Sequence, residues 1–226
     1  VIAFGFDFDH TLGVDNGLEK KAFCRYAAEL GHALDAADAQ VSRRLDDVLA
    51  RARSGAISID DAVQEFFAGI APAASGARWR DICFELVPEL VRPLEGAREL
   101  LRELRARGVP LAVLTNGWTP LQQRKIAQAL GADAPPVVLV SDQLRAIKPA
   151  SAAFDALVGA LGVPREQVWY VGDNPAGDVG GALAAGLRTV WFDWEDLAYP
   201  QDVPPPTLRI GRLRELERLV ENANAP

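Results

Sequence analysis

The stretch that decides the fold is Val1-Ile2-Ala3-Phe4-Gly5-Phe6-Asp7-Phe8-Asp9-His10-Thr11-Leu12. An apolar run from Val1 to Phe6 stops abruptly at Asp7 and Asp9, two carboxylates separated by a single residue. A short, continuous apolar run reads as a buried strand. In an open parallel sheet, ligands occupy the crevice beyond the carboxyl ends of the strands. Asp7 and Asp9 are therefore expected at the mouth of a sheet. The competing reading is a strand followed by an Asx-type turn, since Asp, His, Thr and Gly13 all suit turns.

Downstream the periodicity changes. Leu18, Ala22, Tyr26 and Leu30 recur at steps of four and predict a helix over 16–34. A second is predicted over 34–53, with Val41, Leu45, Val48 and Leu49 on one face. Ser58-Ile59-Asp60-Asp61 resembles a capping box and opens a third, carrying Val63, Phe66, Phe67 and Ile70. A small-residue linker, 71–76, leads to a fourth over 78–90, with Trp79, Ile82, Cys83, Leu86 and Val87 apolar. Such helices can bury their stripes against one another.

From residue 94 strands and helices alternate. Helices over 94–107, 120–130, 151–161 and 175–186 each close on a glycine: Gly108, Gly131, Gly162 and Gly186. Asn174 suits an N-cap, with Pro175 at the first helical position. Strands are predicted at 109–114, 137–140, 167–171, 187–192 and 208–210, with a closing helix over 212–222. This alternation means parallel βαβ units. The expected fold class is α/β: a doubly wound, Rossmann-like parallel sheet built from 1–14 and 92–226. A four-helix domain, 15–91, is inserted after the first strand.

The chain of 226 residues has room for one core and a small second domain. A formal charge of -7 argues against a nucleic-acid polymer as partner. It admits a small anionic substrate where a cation offsets the acids. No apolar run is long enough to span a membrane, and the first residues lack the basic start of a signal peptide. The expectation is a cytoplasmic protein whose start has been trimmed. Cys24 and Cys83 make no disulfide or metal pattern and are expected as free thiols, at least partly buried.

The predicted strand ends collect useful side chains: Asp7, Asp9 and Thr11 after the first, then Thr115 and Asn116. Ser141, Asp142 and Lys148-Pro149 come later, and Asp173 and Asp178 last. If the acids at the first and last of these ends meet, each like-charged pair at ~4 Å costs about 4 kcal/mol at an effective dielectric of ~20. Lys148 alone cannot offset them. Either some are protonated or a divalent cation sits among them, and an all-oxygen set suits Mg²⁺. A cation, a lysine and Thr and Asn donors make a phosphate site. Facing a phosphate, Asp7 can act as a nucleophile. Asp9 can protonate the leaving oxygen and later deprotonate water.

Asp7-x-Asp9-x-Thr11, Thr115, Lys148-Pro149 and Gly172-Asp173-x-x-x-x-Asp178 resemble, in order, the motifs of the haloacid dehalogenase superfamily. The helical insertion resembles that family's smaller cap, which shapes substrate choice. The resemblance implies Asp7 as nucleophile and Mg²⁺ ligand. It implies Asp9 as general acid/base, its carbonyl also touching the metal, and Thr11 as a support behind them. Thr115 and the backbone amide of Asn116 would bind phosphoryl oxygens, and Lys148 would neutralise both the phosphate and Asp7. Asp173 would ligate Mg²⁺, with Asp178 supporting it directly or through water. A carboxylate at position 9, which the family's dehalogenases lack, implies phosphoryl transfer to water. The implied partner is a small phosphorylated metabolite, a nucleotide or sugar phosphate.

Other readings compete. Thr115-Asn116-Gly117 suits a plain turn, Lys148 a solvated loop, and Asp178 the N-terminal end of a helix dipole. Trp118, Trp194 and Tyr199 suit packing more than stacking on a substrate. A phosphomutase shares the same motifs. A phospho-Asp signalling module also uses Asp, Thr and Lys-Pro on a doubly wound sheet, and would place its phosphorylated residue at Asp142. A non-catalytic binding scaffold is disfavoured, since no motif acid is missing. Oligomeric state is open.

Overall fold

The structure is a computed structural model and describes residues 2–217 and 219. The chain divides into two compact units, Val1–Val14 with Arg92–Pro226, and Asp15–Val91.

The first unit is α/β. Its strands are β1 (Ala3–Phe6), β2 (Gly13–Val14), β3 (Arg92–Pro93), β4 (Leu111–Thr115), β5 (Val137–Val140), β6 (Val168–Gly172), β7 (Arg188–Phe192) and β8 (Leu208–Ile210). Six of them form one sheet in the order β5-β4-β1-β6-β7-β8, and every pairing in it is parallel. Counted along the chain, that order is 3-2-1-4-5-6, the doubly wound arrangement, with its switch point between β1 and β6. The register sets Phe6 of β1 between Val113 of β4 and Val171 of β6. The loops that follow these strands therefore leave the sheet side by side. Every residue of β1, β4 and β6 is buried, as expected of strands covered on both faces.

The helices of this unit are α5 (Ala97–Ala106), α6 (Leu121–Leu130), α7 (Ser141–Leu144), α8 (Ser151–Leu161) and α9 (Gly181–Ala184). Phe154, Leu157 and Leu161 of α8 pack on Ala3, Leu114, Val168 and Tyr170 of the sheet. One feature absent from the expectations is the short antiparallel pair β2–β3, whose strands are too brief to show a period. The segment 175–186 is also not one α-helix. A π-helical turn, Pro175–Gly180, precedes α9, and Asn174 caps it by accepting from the Gly177 N–H at 2.8 Å. The closing helix expected over 212–222 opens with a 3-10 turn at Leu213–Leu216 and is α-helical at Glu217 and Leu219, and its other residues lie outside the described ones.

The second unit holds α1 (Leu18–Glu29), α2 (Ala39–Arg53), α3 (Ile59–Phe67) and α4 (Gly76–Leu90). The first ends before residue 34, because the chain turns left-handed at Gly31 (φ 84°). The second starts late, at a cap where Asp38 accepts from the N–H groups of Gln40 and Val41. The expected capping box at Ser58 and Asp61 is present. Phe23 stands at the centre of this unit's core, its ring 4.8 Å from that of Phe66 and 5.1 Å from that of Trp79. Cys83 is buried and Cys24 half-buried, both as free thiols. Among the described residues, no helix is long and apolar enough to cross a membrane.

Candidate active site

The site grows from the carboxyl ends of β1 and β6, on either side of the switch point. The Asp7 N–H continues the ladder by donating to the Val171 carbonyl at 2.8 Å. That bond fixes the residue after the apolar run at the sheet edge. On the adjacent strand, Gly172 ends β6 and Asp173 follows. A Cβ at Gly172 would lie 2.3 Å from Asp178 Oδ2, so only glycine lets the Asp178 carboxylate fold back over the strand end. Asp178, in the π-helical turn, is almost fully buried. Its Oδ2 accepts from the Asn174 N–H at 3.0 Å, and its Oδ1 accepts from Lys148 Nζ at 2.7 Å. This carboxylate is thus held by specific partners rather than by a helix dipole.

Lys148 is no solvated loop residue. Its ammonium is buried and sits 2.8 Å from Asp7 Oδ1 as well as 2.7 Å from Asp178 Oδ1. It also donates to the Tyr170 hydroxyl at 2.9 Å, and that hydroxyl donates to the Leu114 carbonyl at 2.7 Å. Asn116 clamps the lysine's backbone from both sides: its Oδ1 accepts from the Lys148 N–H at 2.9 Å, and its Nδ2 donates to the Lys148 carbonyl at 3.1 Å. The Asn116 side chain is therefore committed to holding Lys148, so any phosphate contact at this position falls to its backbone.

Asp7, Asp173 and Asp178 each offer an oxygen within 4.8 Å of the others. Thr11 Oγ1 donates to Asp173 Oδ1 at 3.4 Å, and Trp191 Nε1 donates to the Asp173 carbonyl at 2.9 Å. The cost of crowding these acids is visible in their protonation. Burial, then Asp7 and Asp178 beside it, push the Asp173 carboxyl up to about 8. Burial raises Asp7 too, against the opposing pull of Lys148. Burial alone would lower the Lys148 ammonium, but Asp178 and Asp7 outweigh it and hold the pKa well above its ordinary value. One lysine thus balances part of a larger negative charge. An all-oxygen donor set with excess charge fits a hard divalent cation such as Mg²⁺.

Asp9 goes elsewhere. Its Oδ1 lies 2.6 Å from Lys125 Nζ, and its Oδ2 accepts from Gln122 Nε2 at 2.8 Å. The Asp9 side chain is not among the clustered carboxylates. Gln122 also donates to Thr115 Oγ1 at 3.0 Å, which joins the second motif to the first. Asp142 accepts from the Thr119 N–H and hydroxyl at 2.7 and 2.9 Å; it braces a loop rather than presenting a phosphate acceptor. Tyr199 packs edge-on against Trp191 at 4.7 Å. Trp194 stacks with His10 at 6.3 Å and lines a cavity of about 210 Å³ with Asp173, Pro175, Trp191 and Leu197.

A family model for haloacid dehalogenase-like hydrolases matches residues 3–186. The chain belongs to that family. As a member it is similar to the phosphoserine phosphatase of Thermus thermophilus, at 42% identity over 53% of this chain and 48% of the relative. It is also similar to haloacetate dehalogenase H-2 of Moraxella sp. (strain B), at 33% identity over 52% of this chain and 54% of the relative. The chain thus spans about half the length of the curated relatives it matches. Its fold matches the HAD-hydrolase YfnB of Bacillus subtilis, solved bound to magnesium, with a TM-score of 0.75 at 21% identity over 97% of this chain and 98% of that one.

Sequence reasoning missed Gln122, Lys125 and Tyr170. Gln122 and Lys125 look like surface positions of an amphipathic helix, and Tyr170 looks like one more apolar strand residue. The available signal was rarity: Arg far outnumbers Lys in this chain, which makes each lysine conspicuous.

Proposed function

We propose that this family member is a phosphatase, hydrolysing a small phosphate monoester through an aspartyl phosphate on Asp7. The observation that carries the reading is the meeting of Asp7, Asp173, Asp178 and Lys148 at the switch point of the sheet. A carboxylate at Asp9 favours hydrolysis of a phosphate ester over dehalogenation, because an ester's leaving oxygen needs a proton. The phosphatase name of one relative points the same way. A nucleotide, a sugar phosphate or phosphoserine is the substrate class in view.

In this reading Asp7 supplies the attacking oxygen and Lys148 neutralises charge on both Asp7 and the phosphoryl group. Thr115 and the Asn116 backbone orient the phosphoryl oxygens. Asp9 gives its proton to the leaving oxygen and later takes one from the attacking water. Tyr170 and Asn116 fix Lys148 from opposite ends. Asp7, Asp173 and Asp178, with the Asp9 carbonyl, would hold Mg²⁺, which supplies Lewis-acid stabilisation of phosphoryl charge when bound. The helical unit, inserted between the first two motifs, acts as the cap that selects the leaving group.

Phosphate release from a panel of phosphate monoesters, with and without Mg²⁺, tests the proposal. Turnover that needs the metal and vanishes in Asp7→Asn is expected. Chloride release from haloacetate without phosphate release from any ester would overturn it.

A further inference from the structure

The α/β unit holds a second buried polar group, built around Asp9. Gln122 and Lys125 stand three residues apart near the start of α6 and so share one face of that helix. Each is only 3% exposed. Lys125 Nζ sits 2.6 Å from Asp9 Oδ1 and 5.8 Å from the centre of the Phe8 ring. Gln122 Nε2 reaches Asp9 Oδ2 at 2.8 Å, Thr115 Oγ1 at 3.0 Å and the Asn116 carbonyl at 2.9 Å. Gly117, at φ 147°, passes so close that a Cβ there would meet Gln122 Cγ at 2.7 Å. The glutamine is therefore confined to its present course.

Burying an ammonium and an amide is costly unless each finds a partner. Tying the loop after β1 to α6 would need no such groups, since apolar contact does that work at least as well. What this pair adds is direction: from one face of the helix, the Lys125 ammonium forms an ion pair with Asp9 Oδ1, and the Gln122 amide donates to Asp9 Oδ2. The same amide that holds Asp9 holds Thr115, so one side chain fixes the spacing between the proton donor and a phosphate-binding hydroxyl.

We infer that Gln122 and Lys125 are positioning residues that aim the Asp9 carboxyl group at the leaving oxygen. This rests on the phosphatase reading. In the first step an Asp7 oxygen bonds to phosphorus, the bond to the leaving oxygen breaks, and the Asp9 proton passes to that oxygen. The carboxylate left behind lies between the Lys125 ammonium and the Gln122 amide. In the second step a water oxygen bonds to phosphorus, its proton passes to Asp9, and the Asp7–phosphorus link breaks.

The test compares two kinds of ester in the full chain with Mg²⁺. p-Nitrophenyl phosphate has a leaving oxygen that departs without a proton, whereas glycerol 2-phosphate and phosphoserine need one. Lys125→Met and Gln122→Ala should lower kcat/KM for the alkyl esters by about 10²-fold, the lower end of what general acid catalysis supplies. They should lower it for p-nitrophenyl phosphate far less, and Lys125→Arg should restore part of the loss. An equal fall on both kinds of ester would mean a structural role and overturn the inference, as would no change on either. A wild type that hydrolyses p-nitrophenyl phosphate but no alkyl ester would also overturn it while leaving Asp7 as nucleophile. A wild type inactive on every ester would overturn the phosphatase reading, and the inference with it.

Discussion

The two units use the same ion-pairing residues to different ends. In the helical unit most pairs lie at the surface, such as Arg25 with Glu85 at 2.5 Å, each side chain about 40% exposed, and Lys20 with Asp46 at 2.6 Å; Glu19, paired with Arg53, is the buried exception among the described pairs. In the α/β unit Lys148, Asp178 and Lys125 are buried to 3% exposure or less. Exposed pairs are worth little, because water and salt screen them and long side chains lose entropy in forming them. Buried charges are costly to desolvate and persist only with close partners. At the strand ends this burial displaces proton affinities: burial raises the Asp7 and Asp173 carboxyls, and Asp178 and Asp7 outweigh burial to raise the Lys148 ammonium.

Lys148→Met should break the comparison most sharply. It leaves Asp7 and Asp178 buried without their shared cation, at a cost of about 3–5 kcal/mol, read by urea unfolding at neutral pH without divalent metal. Phosphate release should be lost as well. A change no larger than that of a surface pair would mean that burial does not set the value of these charges.

Gly172→Ala comes next. The added methyl must displace the Asp178 carboxylate, 2.3 Å away. A loss of about 1–3 kcal/mol is expected from the overpacking, with weaker Mg²⁺ binding by calorimetry. Unchanged metal affinity would show that Asp178 does not depend on the close approach that glycine allows.

Protonation sharpens the comparison further. The Asp173 carboxyl rises from 3.8 unfolded to about 8 folded, so between those values the native metal-free protein binds more protons than the unfolded chain. Its contribution to stability is therefore fully present below about pH 4 and is lost as pH rises through about 8. On the proposed reading, Mg²⁺ competes with that proton. Apparent Mg²⁺ affinity should climb with pH up to about 8 and then level off, with proton release on binding. Calorimetry in two buffers of different ionisation enthalpy measures both. Affinity that is flat from pH 6 to 8 would remove Asp173 from the metal site.

The smallest effect belongs to the surface. Arg25→Ala in the helical unit should change unfolding free energy by about 1 kcal/mol or less, and less again in high salt. A larger loss would mean that the surface pairs hold that unit together, in place of the Phe23–Phe66–Trp79 core.

Much of this was legible in the sequence because the signals are local. The apolar run ending at Asp7 makes a strand, and a polar residue after a buried strand must emerge at the sheet edge. Apolar residues every three or four positions marked the helical segment. Glycine at 108, 131 and 162 closed helices, because a chain leaving a helix turns left-handed at low cost only there. Where the reading slipped, the cause was equally physical. The helix expected over 175–186 is split by a π-helical turn that brings Asp178 over Gly172, and a hydrophobic period carries no trace of such a turn.

The sequence by itself determined the main strands and helices, the parallel alternation and the identity of the acids, since each depends on residues a few positions apart. Only the tertiary structure decided which groups meet. Asp9 finds Gln122 across 113 residues, and Lys148 finds Tyr170 across 22 and Asp178 across 30. Those meetings follow from the strand order, which sets β1 between β4 and β6. Strand order reflects how the whole set of buried faces packs together, and no short stretch of chain encodes it.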